Sequence, residues 1–178
     1  MVELLYSSLD LAIIISNRQL SIVKESQFIK NVWEEEKEYL LTEYRTNQKK
    51  LILDVKFWLN YIEDEMKLSS EFPIVNKDLL AIGSEKVYCL DDSFINLDIF
   101  FKNLRLRILF FEERSYVRMK LRTLLKEYGY LRRSKQLVEY VNKCLYFYHI
   151  QISLRGDDVC GIGEIALDDM VTFRVVGR

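Results

Sequence analysis

The chain has 178 residues, of which 49% are hydrophobic and 30% are charged, and its formal net charge is −1. This composition is that of an ordinary globular protein and argues against intrinsic disorder, and no apolar stretch approaches the roughly 18 residues needed for a membrane span. One proline and six glycines are far below average usage and favour a helix-rich structure with few tight turns.

Cysteine and histidine usage bears on the compartment and on metal binding. Cys89, Cys144 and Cys160 are odd in number, lie far apart and form no C-x-x-C pair, which is typical of reduced thiols in a cytosol. His149 is the single histidine, so a zinc site would lack finger-like spacing. The apolar run 11–15 is short and follows an aspartate, which argues against a signal peptide. We therefore expect a cytoplasmic protein with no metal and no cofactor.

The N-terminal third of the chain is predicted to be helical. Residues 3–15 are apolar almost all round, which favours a buried helix, although a strand at 12–15 stays open because three successive isoleucines are β-branched. From residue 18 to 68 a helical pattern continues, and it is weakest over the polar residues 46–50. A break there, giving a hairpin of two helices, is favoured over a single helix about 75 Å long.

Apolar side chains in this region recur with an eleven-residue period, from Ile29 and Trp33 to Ile62 and Met66. Eleven residues over three turns keep such a stripe on one face of a helix, and an apolar stripe needs a partner surface. We expect a second copy of the chain to supply that surface, so that a homodimer forms. The predicted interface residues are Trp33, Leu40, Leu51, Val55 and Ile62.

Pro73, the single proline, ends the helical pattern, since proline disfavours helix in the preceding residue and has no amide proton. The sequence thus predicts a helical assembly region over 1–72 and a second domain over 73–178. In the second domain, the run 97–111 has both helical spacing and strand-like alternation, and its length favours a helix. Shorter elements predicted before it are a helix at 77–82 and a strand at 86–90.

The rest of the second domain is predicted to contain two helices and then two strands. Apolar residues between 119 and 125 form one face of a helix of about ten residues that stops before Gly129, a natural helix terminator. Ser134 caps a second helix whose apolar residues recur at i, i+4 and i+7. Alternation predicts a strand at 149–154, and 171–176 offers a second strand after a glycine-rich, acidic loop.

Three short motifs accompany this order of helix, turn, helix, strand, loop and strand. They are Leu121-Arg122-Thr123-Leu124-Leu125, Tyr128-Gly129-Tyr130 and Arg132-Arg133-Ser134. With that order of elements, residues 114–176 resemble a winged-helix domain, as carried by some bacterial restriction and defence-associated proteins. In this helix-turn-helix variant the second helix enters the DNA major groove and a β-hairpin touches the flanking backbone.

Charge is distributed unevenly along the chain. Residues 1–72 hold 9 Lys and Arg against 13 Asp and Glu, whereas residues 102–143 hold 12 against 4. Clustered cations attract polyanions even when the net charge is near zero, and Arg or Gln can also bond base edges. The resemblance implies that side chains off the apolar stripe of the second helix face a nucleic acid. These side chains are Arg132, Arg133, Lys135, Gln136, Glu139 and Lys143, and all of them except Glu139 are predicted to bind the nucleic acid.

No pattern in the sequence indicates catalysis. The glycines at 161 and 163 lack the spacing of a phosphate-binding loop, and His149 is expected to be a structural histidine on a strand. We therefore expect a mainly α, α+β protein that is not an enzyme and binds nucleic acid, with DNA favoured and a regulatory or defence role. The sequence identifies no small-molecule substrate. Two features depart from the winged-helix pattern: the acidic loop 156–164 would repel phosphate, and Glu139 lies in the middle of the second helix. The alternative is a helical adaptor that binds other proteins and no nucleic acid.

Overall fold

The computed structural model describes residues 4–62, 95–127, 132–154 and 159–177. Within these ranges the protein is mainly helical with one small antiparallel sheet, which confirms the predicted α+β class. The chain forms two compact units.

The two units are Met1–Asp92 and Ser93–Arg178. The boundary predicted at 72/73 and the short elements predicted at 77–82 and 86–90 lie outside the described residues. Among the residues that are described, no helix combines the length and apolar character needed to cross a lipid bilayer.

Helix α1 of the first unit begins at a capping box. The Ser7 Oγ accepts from the Asp10 N–H at 3.2 Å, and the Asp10 carboxylate accepts from the Ser7 N–H at 2.8 Å. The helix ends where Gln19 adopts a left-handed φ of 47°. This confirms a helix rather than a strand at residues 12–15. The described helical elements of this unit are α1 Ser8–Arg18, α2 Ile22–Glu35, a 3-10 turn Lys37–Tyr39, α3 Thr42–Arg45 and α4 Gln48–Tyr61.

The helical pattern that starts at residue 18 is interrupted, as predicted, but it is divided into α2, a 3-10 turn, α3 and α4 rather than into the two helices of a hairpin. Asn47 caps α4, because its side chain accepts from the Lys50 N–H at 3.0 Å, so a break is present at 46–47, whereas the rest of the predicted break, 48–50, is already helical. A second break, over residues 36–41, was not predicted. Here Tyr6 pairs with the chain through backbone bonds, accepting from the Leu41 N–H at 3.0 Å.

The five residues predicted to form a dimer interface lie in the first unit's own packing instead. Leu40, Leu51, Val55 and Ile62 are buried, and the half-buried Trp33 donates from Nε1 to the Tyr44 carbonyl at 3.0 Å. Helix α4 packs against α1, whose apolar side chains are almost all buried. The apolar stripe therefore finds its partner surface within the same unit, which corrects the predicted interface.

The described residues of the second unit form three helices and a three-stranded antiparallel sheet with the strand order β1-β3-β2. In the register, Phe173 of β3 lies opposite both Val117 of β1 and Ile152 of β2, and all three are buried. The Phe173 ring also makes an edge contact with Phe100, at 6.2 Å between centroids. The elements are α5 Ile95–Phe110, β1 Tyr116–Lys120, α6 Leu121–Glu127, α7 Lys135–Phe147, β2 Ile150–Ser153 and β3 Met170–Val175.

Most of the predictions for this unit are confirmed, with one correction. The run 97–111 is helical in α5, and the predicted second helix and both strands are present. The helix predicted to include residue 119 is wrong over its first part, because β1 occupies Tyr116–Lys120 and α6 has only seven residues. Strand β1 is stabilised by pairing with β3, whose residues lie about fifty positions further along the chain.

Candidate nucleic-acid interface

Helix α7 is an amphipathic helix with a well-formed start. The Ser134 Oγ accepts from the Leu137 N–H at 3.1 Å, which confirms the predicted cap. Its buried face carries Leu137, Val141, Cys144 and Leu145. The opposite side, which we call the α7 face, consists of the exposed residues Lys135, Gln136, Glu139, Asn142, Lys143 and Tyr146.

The α7 face contains three of the five predicted nucleic-acid-binding residues. Lys135 is 91% exposed and lies 3.8 Å from the Glu139 carboxylate, one turn away. The Lys143 Nζ lies 5.5 Å from the centre of the Tyr140 ring, and Gln136 is exposed. These side chains are free of the core and can reach a ligand. Arg132, the fourth predicted residue, is also exposed and lies just before the helix.

Arg133, the fifth predicted residue, differs from the others. Its side chain is half-buried, and its Nη1 donates to the carbonyl oxygen of Ile162 at 3.0 Å and to that of Ile165. Both acceptors belong to the segment that precedes β3. Arg133 therefore links the start of α7 to that segment, and its Nη1 has protein acceptors rather than a free surface.

Two cations of the basic segment 102–143 are inside the protein. Lys102 and Arg105 of α5 are buried, and Arg105 donates from Nη1 to the Tyr148 carbonyl. Asp98, on the same helix, is also buried and accepts from the Tyr140 hydroxyl. Part of the positive charge of residues 102–143 is therefore buried beside polar groups that contact α5, and this part is not at the surface.

Cys144 of α7 belongs to the same polar cluster. Its Sγ lies 3.8 Å from the Asp98 Oδ1 and donates to it. Burial raises the pKa of the Cys144 thiol, and the nearby Asp98 carboxylate raises it further. The thiol therefore stays protonated, which makes it a poor nucleophile and a poor metal ligand.

The described surface of the second unit nevertheless keeps an excess of positive charge. Eight Lys and Arg residues are exposed there, against four exposed carboxylates, Glu113, Glu139, Glu164 and Asp168. Arg122 forms two 2.8 Å hydrogen bonds with Asp168, and its guanidinium holds the pKa of that carboxyl below its usual range. The exposed cations are Arg114, Arg118, Lys120, Arg122, Lys126, Arg132, Lys135 and Lys143.

An open cleft of about 480 Å³ adjoins the C-terminal end of the α7 face. We call it the Tyr146 cleft. Its floor is formed by the buried residues Leu145, Ile150 and Ile152. Exposed apolar and polar groups surround this floor, and Asn142 and Tyr146 belong to both the cleft and the α7 face. The remaining lining residues are His149, Gln151, Val159, Cys160, Val176 and Gly177.

Sequence reasoning missed the cleft and misplaced one of its residues. His149 is exposed and adopts a left-handed φ of 50° in the turn before β2, so the prediction of a structural histidine on a strand is wrong. Asn142 and Tyr146 were not singled out, although both lie off the apolar stripe at helical spacing from Glu139. Asn142 and Tyr146 could have been identified from this spacing in the sequence.

Among the described residues, no group of three His, Cys, Asp or Glu side chains is arranged to hold a metal ion. Comparison of the chain with protein-family models, with curated proteins and with solved structures found no match. The functional interpretation therefore depends on the geometry of the chain itself.

Proposed function

We propose that this protein is a non-enzymatic, cytoplasmic nucleic-acid-binding protein whose second unit contacts the nucleic acid through the α7 face. The observation that carries the proposal is the exposed set of Arg132, Lys135, Gln136 and Lys143, which no core contact uses. Cations at these positions neutralise phosphates, and amide side chains on the same helix can bond base edges.

The order of elements around α7 supports the proposal. Helix α7 follows α6 after a connection of seven residues, and the antiparallel pair β2–β3 comes after α7. A helix pair followed by a hairpin is the arrangement on which the winged-helix resemblance was based, and in that class the second helix of the pair is the one that reads DNA.

Duplex DNA is the favoured ligand for a geometric reason. Helix α7 has 13 residues, and its exposed side is polar from Lys135 to Lys143 and ends in the exposed Tyr146. The major groove of B-form DNA is roughly 12 Å wide and admits a helix with its side chains, whereas the major groove of A-form RNA is too narrow for this. Glu139 in the middle of the α7 face opposes phosphate, and its proximity to Lys135 reduces that repulsion.

Charge reversal with a matched control tests the proposal. The variant Arg132→Glu/Lys135→Glu/Lys143→Glu changes three exposed cations of the second unit, and Lys24→Glu/Lys49→Glu/Lys56→Glu changes three exposed cations of the first unit by the same total charge. We expect the first variant to bind duplex DNA roughly tenfold more weakly or worse, and the control to bind like the parent protein. Equal loss in both variants, or no binding by the parent, contradicts the proposal.

A protein-binding adaptor is the second candidate, and one observation favours it. In the first unit Ile22, Val23, Leu53 and Phe57 are exposed apolar residues, on α2 and α4. Exposed apolar side chains in such numbers are compatible with a protein partner, although single exposed apolar residues are normal on any surface. Light scattering of the parent protein beside Phe57→Ser and Leu53→Ser measures whether these residues drive self-association. A mass that falls in the variants shows that these residues bind protein, in this case a second copy of the chain.

A further inference from the structure

We propose that the Tyr146 cleft holds one unpaired nucleobase of the bound nucleic acid, stacked on the Tyr146 ring. This inference rests on the proposed function and deepens it, because it names the ligand class as nucleic acid with an unpaired or extruded nucleotide. A base removed from its stack needs an aromatic or apolar surface against its flat face and polar groups at its edge.

The cleft supplies the stacking surface. Tyr146 is 87% exposed, so its ring is available on the end of α7, and Val159 is 65% exposed beside the same space. Covering an exposed tyrosine ring with a flat aromatic group removes apolar surface from water, which favours binding of that group. The floor is apolar, since Leu145, Ile150 and Ile152 form it.

The rim supplies polar groups suited to a base edge. Asn142 and Gln151 line the cleft and are exposed, and each carries an amide that both donates and accepts. Side-chain amides form paired hydrogen bonds with adenine through one donor and one acceptor, so this rim favours a purine. His149 adds a further ring nitrogen at the rim.

Charge and size agree with the same occupant. None of the described residues that line the cleft is acidic, and Lys143 lies one helical turn before the lining residue Tyr146 on the exposed side of α7. A phosphate next to the bound base would therefore meet a cation and no carboxylate from the described lining. A volume of about 480 Å³ lies within the usual range of small-ligand sites, roughly 300–1,000 Å³.

The cleft also continues the surface already proposed to bind nucleic acid. Asn142 and Tyr146 are shared, so a strand that follows the α7 face from Lys135 towards the C-terminal end of the helix reaches the cleft without crossing a buried region. A nucleobase is favoured over an unrelated apolar ligand for this reason.

The test compares two DNA probes of the same sequence, a perfect duplex and a duplex with one bulged 2-aminopurine, an adenine analogue whose fluorescence reports stacking. We expect the parent protein to bind the bulged probe roughly tenfold more tightly than the perfect duplex and to change the emission of the analogue. In Tyr146→Ala the preference and the emission change should be lost, while Tyr146→Phe keeps both. Because Tyr146 is exposed, both variants should fold like the parent, which thermal denaturation checks.

Each outcome separates this inference from the proposed function. Binding of the perfect duplex that depends on Lys135 and Lys143, but with no preference for the bulge, overturns the nucleobase site and leaves the interface proposal standing. A preference that survives in Tyr146→Ala also overturns the nucleobase site. Failure to bind either probe overturns both proposals together.

Discussion

Arg133 donates a hydrogen bond from Nη1 to the carbonyl oxygen of Ile162 over 3.0 Å, which joins the start of α7 to the segment before β3. The same nitrogen also donates to the carbonyl of Ile165. These two contacts give Arg133 a structural role, since an arginine in a run of basic residues can stabilise the fold as well as bind a ligand. It also positions the α7 face, because the helix begins two residues later.

Arg133→Ala is therefore expected to lower the free energy of unfolding. Two carbonyl groups lose a charged donor in a half-buried place, which costs about 1–3 kcal/mol. Arg132→Ala is the matched control, since the neighbouring side chain is exposed, and it should change stability by less than about 0.5 kcal/mol. Urea denaturation of both variants measures the difference. If the two variants were equally stable, the hydrogen bonds of Arg133 would not stabilise the fold.

The apolar stripe of the first unit gives a second prediction. Leu51 is fully buried and Leu53, on the same helix, is 55% exposed. We expect Leu51→Ala to destabilise the protein by about 2–5 kcal/mol and Leu53→Ala to have little effect. Because the burial of Leu51 occurs within one chain, the loss should not depend on protein concentration. A stability that rises with concentration for the parent and not for Leu51→Ala would restore the dimer-interface interpretation.

Tyr44 gives a prediction about pH. Its hydroxyl donates to Asp54 at 2.9 Å and is bonded to Ser8 at 3.0 Å. Burial raises the pKa of Tyr44 to about 12, and the Asp54 carboxylate acts in the same direction. Since the folded protein holds this proton more tightly than the unfolded chain, the resulting stabilisation is complete below pH 10 and is lost as the pH rises towards 12.

A difference titration measures this directly. The ultraviolet absorbance of the parent minus that of Tyr44→Phe isolates one tyrosine, which should ionise near pH 12 rather than 10. At neutral pH the same variant should be about 1–2 kcal/mol less stable, because Asp54 and Ser8 lose their partner. A Tyr44 signal at the ordinary pKa of tyrosine would disprove the buried hydroxyl network.

Cys144 and Cys160 should differ in reactivity. Burial and Asp98 raise the pKa of the Cys144 thiol, and only the thiolate reacts with alkylating reagents. We expect iodoacetamide to modify Cys160, which is partly exposed, and to leave Cys144 intact until the protein is unfolded in urea. Site-resolved mass spectrometry reads the result. Modification of Cys144 at a similar rate in native buffer would show that α7 does not pack as described.

The sequence predicted much of the second unit and less of the site. The apolar period of α7, its cap at Ser134 and the alternation of β2 are local patterns, so they could be read from neighbouring residues. Strand β1 was missed because its pairing partner lies about fifty residues away. The bonds from Arg133 to Ile162 and from Arg105 to Tyr148 join residues far apart in the sequence, and no local pattern reports them.

The first unit shows a different limit. A periodic apolar stripe tells which side of a helix is buried, but it does not tell what covers that side. Leu51 and Val55 were assigned to a second copy of the chain, whereas their own unit buries them. A short, strongly packed helix such as α1 can cover that side within the same chain, so no free energy is spent on bringing two chains together.

The salt dependence of binding tests the central claim most directly. The measurement is the slope of the logarithm of the duplex-DNA association constant against the logarithm of salt concentration, for the parent, for Lys135→Ala/Lys143→Ala and for the control Lys24→Ala/Lys49→Ala. If the α7 face contacts phosphates, the first variant should have a slope shallower by about 1.8, from roughly 0.9 for each phosphate contact, and the control should match the parent. Identical slopes for all three proteins would contradict the account.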